Sequence, residues 1–262
     1  MITRCLAAAL ALSIALPATA QDNPMRDSPT WTDLQADVIG EMTPLAADGM
    51  FRVETPARAQ DAGTVPIRIV QTDPAMAVTA ATVVVDENPA PVAGTFTFGQ
   101  DMLPLDFELR VRVNQYSNVR VLAKTPNGLA MDGGYVKASG GCSAPATRDP
   151  EMAKVDMGQM KLRQFEPLDH NRREAQIMIR HPNYSGLQRD QLTQLFIPAH
   201  FLSEIEVSQG DTPLFSMEGG ISISENPVFR FIYTDNGEDA LVVTATDTYG
   251  NIWRNVLPKS GS

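Results

Sequence analysis

Cys142 is the residue whose neighbours most favour chemistry. It follows Gly140 and Gly141 in a stretch of small residues, glycine and proline that has no apolar periodicity. This composition is typical of a mobile linker, whereas a buried cysteine more often lies within a strand or helix pattern. The pattern therefore predicts an exposed, functional thiol, with Gly140 and Gly141 supplying backbone freedom.

The N-terminus determines whether this thiol has a partner cysteine. Residues 1–20 contain Arg4, then an apolar run that starts at Cys5 and is too short to span a bilayer, and then an Ala-x-Ala pattern ending at Ala20. These features predict a signal peptide that is cleaved after Ala20, with export to the periplasm and no membrane anchor. Cleavage removes Cys5, and a lone cysteine in an oxidising compartment indicates a reactive thiol or an intermolecular bond.

Other chemistry finds little support in the sequence. The three histidines His170, His181 and His200 show no metal-ligand spacing, so we predict no metal site and no cofactor. The Gly133-Gly134 pair lacks the setting of a phosphate loop, and residues 183–186 resemble a nucleophile elbow only superficially; both are predicted to be turns. A nucleophile on a flexible segment is poorly held for catalysis, which favours a carrier over an enzyme.

Length and charge limit the remaining classes. The chain has 262 residues, enough for two domains of ordinary size. It contains 21 Lys plus Arg against 31 Asp plus Glu, a net charge of −10. Because phosphate binding depends on Lys and Arg, this balance argues against nucleic acid or an anionic membrane as the main partner.

The predicted elements are one helix followed by two sets of short strands. Ser28 and Pro29 begin a helix with apolar residues Trp31, Leu34 and Val38 at helical spacing. Runs rich in Val, Ile, Thr and Phe then predict strands at residues 65–70, 79–85, 95–98, 107–113 and 118–123, and at 159–165, 175–180, 201–207, 214–217, 228–233 and 241–246. Strands at this spacing favour two antiparallel β-sandwiches joined by the flexible segment that carries the thiol.

The first half resembles the Y subunit of the thiosulfate-oxidising (Sox) carrier, SoxY. The segments that carry this resemblance are Ala62-Gly63-Thr64-Val65-Pro66-Ile67, Asp86-Glu87-Asn88-Pro89-Ala90-Pro91-Val92-Ala93, Leu109-Arg110-Val111-Arg112-Val113 and Ser139-Gly140-Gly141-Cys142.

The second half resembles the Z subunit, SoxZ. The corresponding segments are Arg180-His181-Pro182, Ser185-Gly186, Ile197-Pro198-Ala199-His200-Phe201, Ser224-Glu225-Asn226-Pro227-Val228-Phe229 and Asp247-Thr248-Tyr249-Gly250. The order Y then Z is similar to that of single-chain SoxYZ-like carriers associated with quinoprotein dehydrogenases.

The resemblance implies an all-β fold of two immunoglobulin-like antiparallel sandwiches after the short helix. It implies a SoxY-like domain over residues 26–136, an arm over 137–156 and a SoxZ-like domain over 157–258. The two halves would pack on each other, burying apolar faces between the sandwiches. Cys142 would bear sulfur intermediates covalently and present them to partner enzymes. Here the arm continues into the second domain, so it is a loop tethered at both ends with a shorter reach.

The resemblance also implies the partners, namely sulfur-oxidising enzymes and cytochromes or a quinoprotein dehydrogenase. The alternative function is a non-covalent accessory module of such a dehydrogenase, and a weaker one is an independent thiol enzyme. For the thiolate, Lys137 and Arg148 would lower the pKa and the acidic chain would raise it, so the direction of the shift stays open.

Overall fold

The structure is a computed structural model that describes residues 23–147, 150–169 and 171–259. The predicted signal peptide, residues 1–20, lies outside the described residues, as do Arg148 and His170. Among the described residues, no helix is long and apolar enough to cross a membrane.

The predicted N-terminal helix is present as α1 (Pro29–Ile39). The Ser28 side chain accepts a hydrogen bond from the Trp31 amide at 3.0 Å, and the helix ends at Gly40 with a φ of 61°. Trp31 is buried against the sheet, where the Arg120 guanidinium lies 4.6 Å from its ring. The cap, the first-turn proline and this buried face explain why a short helix forms here.

Fifteen strands account for most of the regular secondary structure in the rest of the described chain. They are β1 (Leu45–Ala46), β2 (Phe51–Glu54), β3 (Val65–Gln71), β4 (Ala80–Val85), β5 (Val92–Phe98), β6 (Asp106–Val111), β7 (Ser117–Thr125), β8 (Gly128–Val136), β9 (Met160–Gln164), β10 (Arg172–Ile179), β11 (Leu202–Gln209), β12 (Thr212–Gly219), β13 (Val228–Thr234), β14 (Ala240–Asp247) and β15 (Ile252–Pro258). A 3₁₀ turn covers Gln100–Met102, and a short helix α2 (Pro150–Val155) precedes β9.

The strands form two sheets that face each other across one hydrophobic core. The nine-stranded sheet has the order β1-β8-β7-β4-β5-β12-β11-β14-β15, and the six-stranded sheet has the order β2-β3-β6-β13-β10-β9. All pairs are antiparallel except β1 with β8. The predicted all-β sandwich class is therefore confirmed.

Both sheets run across the two halves of the chain. Strand β5 of the first half pairs with β12 of the second, with Phe98 opposite Phe215, and β6 pairs with β13, with Phe107 opposite Phe231. The halves thus join side by side through backbone hydrogen bonds instead of packing face on face. The predicted domain bounds stay a prediction, because a shared core does not mark a boundary.

A cluster of phenylalanines fills the core where the halves meet. The Phe107 ring lies 5.3 Å from Phe96 and 5.1 Å from Phe215, both in edge-to-face geometry. Phe229 and Phe231 pack on Phe215 at 5.7 and 5.3 Å. Aromatic rings from both halves therefore form one buried cluster that spans the junction.

One predicted turn is wrong. Gly133 and Gly134 lie inside β8, which the strand prediction missed. A Cβ atom on Gly133 would lie 2.2 Å from the Val119 carbonyl oxygen, and one on Gly134 would lie 2.3 Å from Thr55 Oγ1. The glycines therefore permit other chain segments to approach this strand closely. Close approach of another backbone is a known reason for glycine within a strand, besides its role in turns.

Candidate functional site

Cys142 lies in a turn between β8 and α2 and is a free thiol. It is 0% exposed. The prediction of an exposed thiol is therefore wrong for this structure: the small residues around Cys142 serve close packing instead of mobility. Among the described residues Cys142 is the one cysteine, so it has no partner there for a disulfide.

Gly140 and Gly141 hold the turn against the first half. The Gly140 amide donates to the Asn114 carbonyl at 2.8 Å, and the Gly141 amide donates to the Val113 carbonyl at 3.0 Å. Gly140 has a φ of 79°, which favours glycine. A Cβ atom on Gly141 would lie 2.1 Å from the Ala62 carbonyl oxygen. In this state the two glycines make a tight fit possible, whereas their predicted role is in arm flexibility.

The second half closes the turn from the other side. The Ser185 hydroxyl donates a short hydrogen bond to the Cys142 carbonyl. The Gln188 side-chain amide donates to the Ala144 carbonyl at 2.9 Å, and the Thr147 amide donates to a carboxylate oxygen of Glu225 at 3.0 Å. The segment that carries the thiol is thus hydrogen-bonded to both halves.

Arg112, the residue after β6, is the buried cation of this site and is 2% exposed. Its Nη1 donates to the Gly141 carbonyl at 3.3 Å, and its Nη2 donates to the Asn183 carbonyl at 3.0 Å. Its backbone is fixed on both sides, because its amide donates to the Ser222 carbonyl at 2.7 Å and its carbonyl accepts from the Asn88 side chain at 2.7 Å. Arg112 therefore ties the cysteine turn to the second half.

Burial controls the acidity of the thiol. It raises the pKa of Cys142 to about 11, because the thiolate loses its hydration; the positive charge of Arg112 opposes this shift but does not cancel it. Burial also lowers the pKa of Arg112. The cation beside the thiol is thus Arg112. In the sequence, Arg112 was noted only as part of a segment that resembles SoxY, and no role in the site was predicted for it. Lys137 does not contribute to the shift, and Arg148 lies outside the described residues.

A second cluster lies in the second half, where His181, His200 and Asp247 meet. Each offers one ligand atom, and these atoms lie within 4.8 Å of one another. Asp247 Oδ2 is 2.6 Å from His200 Nε2 and 3.6 Å from His181 Nε2. The His200 ring stacks on Tyr249 with 3.9 Å between centroids. The prediction from spacing that the histidines form no metal-ligating group thus missed this arrangement.

The pKa values of His181 and Asp247 in this cluster are both lowered, with opposite effects on charge. Burial and the neighbouring His200 lower the pKa of His181 to about 4. Burial raises the pKa of Asp247, but hydrogen bonds from Asn251, His200 and the Tyr249 amide outweigh it and bring that pKa to about 2. Asp247 is therefore a carboxylate at neutral pH, and His181 is neutral.

Asn183 connects the two clusters. Its carbonyl accepts from Arg112, and its side-chain oxygen lies 2.7 Å from His181 Nδ1. His181, His200 and Asp247 all lie in the segments that carry the resemblance to SoxZ. This shared membership is the sequence signal from which their grouping could have been predicted. Separations of 19 to 66 residues along the chain hide such a cluster from an argument based on spacing.

Fold and site together define a class: a two-sheet β-sandwich protein with a buried free thiol at the junction of two halves. Residues 35–142 match the family described as sulfur oxidation protein SoxY, and residues 164–257 match sulphur oxidation protein SoxZ. The chain therefore belongs to the SoxYZ-like proteins, with a SoxY domain followed by a SoxZ domain, and the SoxY match ends at Cys142.

Two further comparisons complete this picture. A comparison with curated proteins gave no match. Among solved structures, the sulfur carrier protein SoxY from Chlorobium limicola f thiosulfatophilum is similar, with 21% sequence identity, a TM-score of 0.34, and coverage of 41% of this chain and 94% of that chain.

Proposed function

We propose that this chain is a covalent carrier of sulfur-containing intermediates and that Cys142 is the attachment point. The observation that carries the proposal is the position of the free thiol, at the last residue of the SoxY match and between the two halves. Joining the thiol to a cargo sulfur forms an S–S bond, releases the thiol proton and removes two electrons. A partner oxidoreductase must accept those electrons.

The carrier acts in the periplasm and presents its cargo to other proteins. The signal-peptide pattern of residues 1–20 supports export, and the net charge of −10 suits docking to a basic partner such as a cytochrome. Sulfur-oxidising enzymes, or a quinoprotein dehydrogenase system, are the proposed partners. In this scheme the carrier performs no turnover by itself.

Opening of the cysteine turn is the step that makes the thiol available. The hydrogen bonds from Arg112 to Gly141 and from Ser185 to Cys142 must break first. In the closed state the thiol has a pKa of about 11, so it is protonated at neutral pH and a poor nucleophile. Opening returns the pKa towards that of a free cysteine, about 8.5. Docking of a partner would thus determine when Cys142 reacts.

A second candidate follows from the same burial. If the turn stays closed, the chain is a non-covalent accessory module of a dehydrogenase, and Cys142 is a small apolar core residue.

Intact-mass spectrometry of protein isolated from its native host distinguishes the candidates. The carrier should show added masses of sulfur-containing groups that reductant removes and that Cys142→Ser lacks. The same adducts on the Ser variant, or none on the native protein, would contradict the carrier. A complex that survives Cys142→Ala, without adducts on the native protein, would support the accessory module.

A further inference from the structure

We propose that His181, His200 and Asp247 form a binding site for a divalent first-row transition-metal ion, with Zn²⁺ as the natural probe. The site is separate from Cys142, and the proposal does not depend on the carrier function proposed above. Two imidazole nitrogens and one carboxylate oxygen form a donor set that suits zinc and its neighbours better than magnesium or calcium.

The protonation of His181 is fixed by Asn183. The Asn183 side-chain nitrogen donates to the Ser224 carbonyl at 3.0 Å, and its side-chain oxygen accepts from the Leu202 amide at 3.0 Å, so the orientation of this amide is determined. That oxygen lies 2.7 Å from His181 Nδ1. The Asn183 backbone amide also lies near Nδ1, at 3.1 Å, but the side-chain oxygen is the closer neighbour. Because two lone pairs cannot approach to 2.7 Å, we assign the hydrogen to Nδ1, which leaves Nε2 bare.

The bare nitrogen faces a carboxylate. His181 is 1% exposed, its Nε2 is buried with no hydrogen-bond partner among the described residues, and Asp247 Oδ2 lies 3.6 Å away. An acceptor lone pair opposite an anionic oxygen is unfavourable in a buried site. A cation bound between the two atoms would satisfy both of them.

The three ligand atoms lie within 4.8 Å of one another, so a zinc ion would have to draw the side chains closer together. With metal–ligand bonds of about 2.0–2.1 Å, two ligand atoms of a tetrahedral site are about 3.3 Å apart. The separation between His181 Nε2 and Asp247 Oδ2 is 3.6 Å. The separation between His200 Nε2 and Asp247 Oδ2 is 2.6 Å, a hydrogen bond. A metal ion bound by both atoms would replace the hydrogen between them, and this proton would be released or would move to Nδ1 of His200. Three protein ligands leave one position for water.

Hydrogen-bond partners hold the proposed ligand side chains in place, as they do in known metal sites. Asp247 Oδ1 accepts from the Tyr249 and Asn251 amides at 2.9 Å each, so Oδ2 is the oxygen left for a metal ion, and the Asn251 side chain orients Oδ2 at 2.8 Å. His181 donates from Nδ1 to Asn183. Such partners fix the direction of each ligand before the metal binds.

A metal here would link three segments, those after β10, before β11 and at the end of β14. The first contains Asn183, whose carbonyl accepts from Arg112. The metal would thus stabilise the wall of the second half that closes over the cysteine turn.

Titration calorimetry with Zn²⁺ on tag-free, chelator-treated full-length protein tests the site. We expect about one equivalent of bound zinc and a higher melting temperature with the metal. Co²⁺ in place of Zn²⁺ should give visible absorption bands of a low-coordinate nitrogen–oxygen site. His181→Gln and His200→Gln should abolish binding, and Asn251→Ala should weaken it about ten- to hundredfold because it orients the ligand Asp247.

Two control variants keep the result specific. Cys142→Ser removes the thiol, and Asp33→Asn removes an exposed carboxylate of α1; both should bind zinc as the unchanged protein does. Should His181→Gln fail to fold, the zinc binding of His200→Gln and Asn251→Ala tests the proposal instead. Less than about 0.2 equivalents of bound zinc, or unchanged binding by His200→Gln, would overturn the proposal.

Discussion

The Ser185 hydroxyl donates a hydrogen bond to the backbone carbonyl of Cys142, a residue 43 positions earlier in the chain. The same hydroxyl oxygen accepts from the Leu187 amide at 3.2 Å. Ser185 therefore uses one side chain to hold the cysteine turn and to order its own loop. This contact places closure of the thiol under the control of the second half.

Ser185→Ala should expose Cys142 more often. Loss of one hydrogen bond costs about 1 kcal/mol, so the rate of labelling by a disulfide reagent at pH 8 should rise about fivefold. Ser216→Ala, an exposed serine of β12, is the matched control and should label as the unchanged protein does. Equal rates for Ser185→Ala and the unchanged protein would show that this contact does not limit opening.

Gly141→Ala should open the turn more strongly. Its Cβ would lie 2.1 Å from the Ala62 carbonyl oxygen, and overpacking of this kind costs about 1–3 kcal/mol. Gly63→Ala in the neighbouring loop is the control, because its nearest contacts would be ordinary ones at 3.4 and 3.8 Å. Thiol labelling and thermal melting measure both. A Gly141→Ala protein that melts and labels like Gly63→Ala would refute the close fit.

The stability of the protein should fall at alkaline pH because of Cys142. The folded state raises the pKa of this thiol to about 11, so the native protein keeps the proton that the unfolded chain loses. The contribution to stability is therefore complete below about pH 8.5 and is lost as the pH rises towards 11, by about 3 kcal/mol at most.

Urea unfolding from pH 7 to 10.5, compared with Cys142→Ala, isolates this effect. Other groups titrate in both proteins and cancel in the difference. Parallel profiles for the two proteins would mean that the thiol ionises equally in the folded and unfolded states.

Phe107→Ala should destabilise both halves together. The Phe107 ring contacts Phe96 in the first half and Phe215 in the second, and removal of a buried phenylalanine side chain costs about 3–5 kcal/mol. Calorimetry should show one transition, shifted to lower temperature. Tyr116→Ala removes an aromatic ring that is 48% exposed and should shift the transition little. Two separate transitions in the unchanged protein would contradict a shared core.

Much of the fold follows from local patterns in the sequence. The strand predicted at residues 241–246 is observed as β14, Ala240–Asp247. Burial alternates along it, which is the pattern that the sequence shows. The glycine pair of β8 was mistaken for a turn because the segments that cross it are distant in sequence. The pairing of β5 with β12 was not predictable, because an inward-facing strand has the same pattern whether its edge is free or paired.

The role of Cys142 as the attachment residue stays a prediction, and the prediction that its thiol is exposed is wrong. The family segments identified Cys142, yet glycine and other small residues are equally compatible with a mobile arm and with close packing. Here Gly141 packs closely against the Ala62 carbonyl, which lies about eighty residues earlier in the chain. A contact at this distance along the chain cannot be read from the local sequence. The cluster of His181, His200 and Asp247 depends in the same way on tertiary contacts.

The pairing of β5 with β12 and of β6 with β13 also bears on solubility. A first half alone would expose one edge of β5 and one of β6, and a second half alone would expose the matching edges of β12 and β13. Unpaired edges of buried strands invite aggregation with other chains. Fusion into one polypeptide keeps each of these edges beside its complement from the moment of folding, so the linker that bears Cys142 also protects the chain against mispairing.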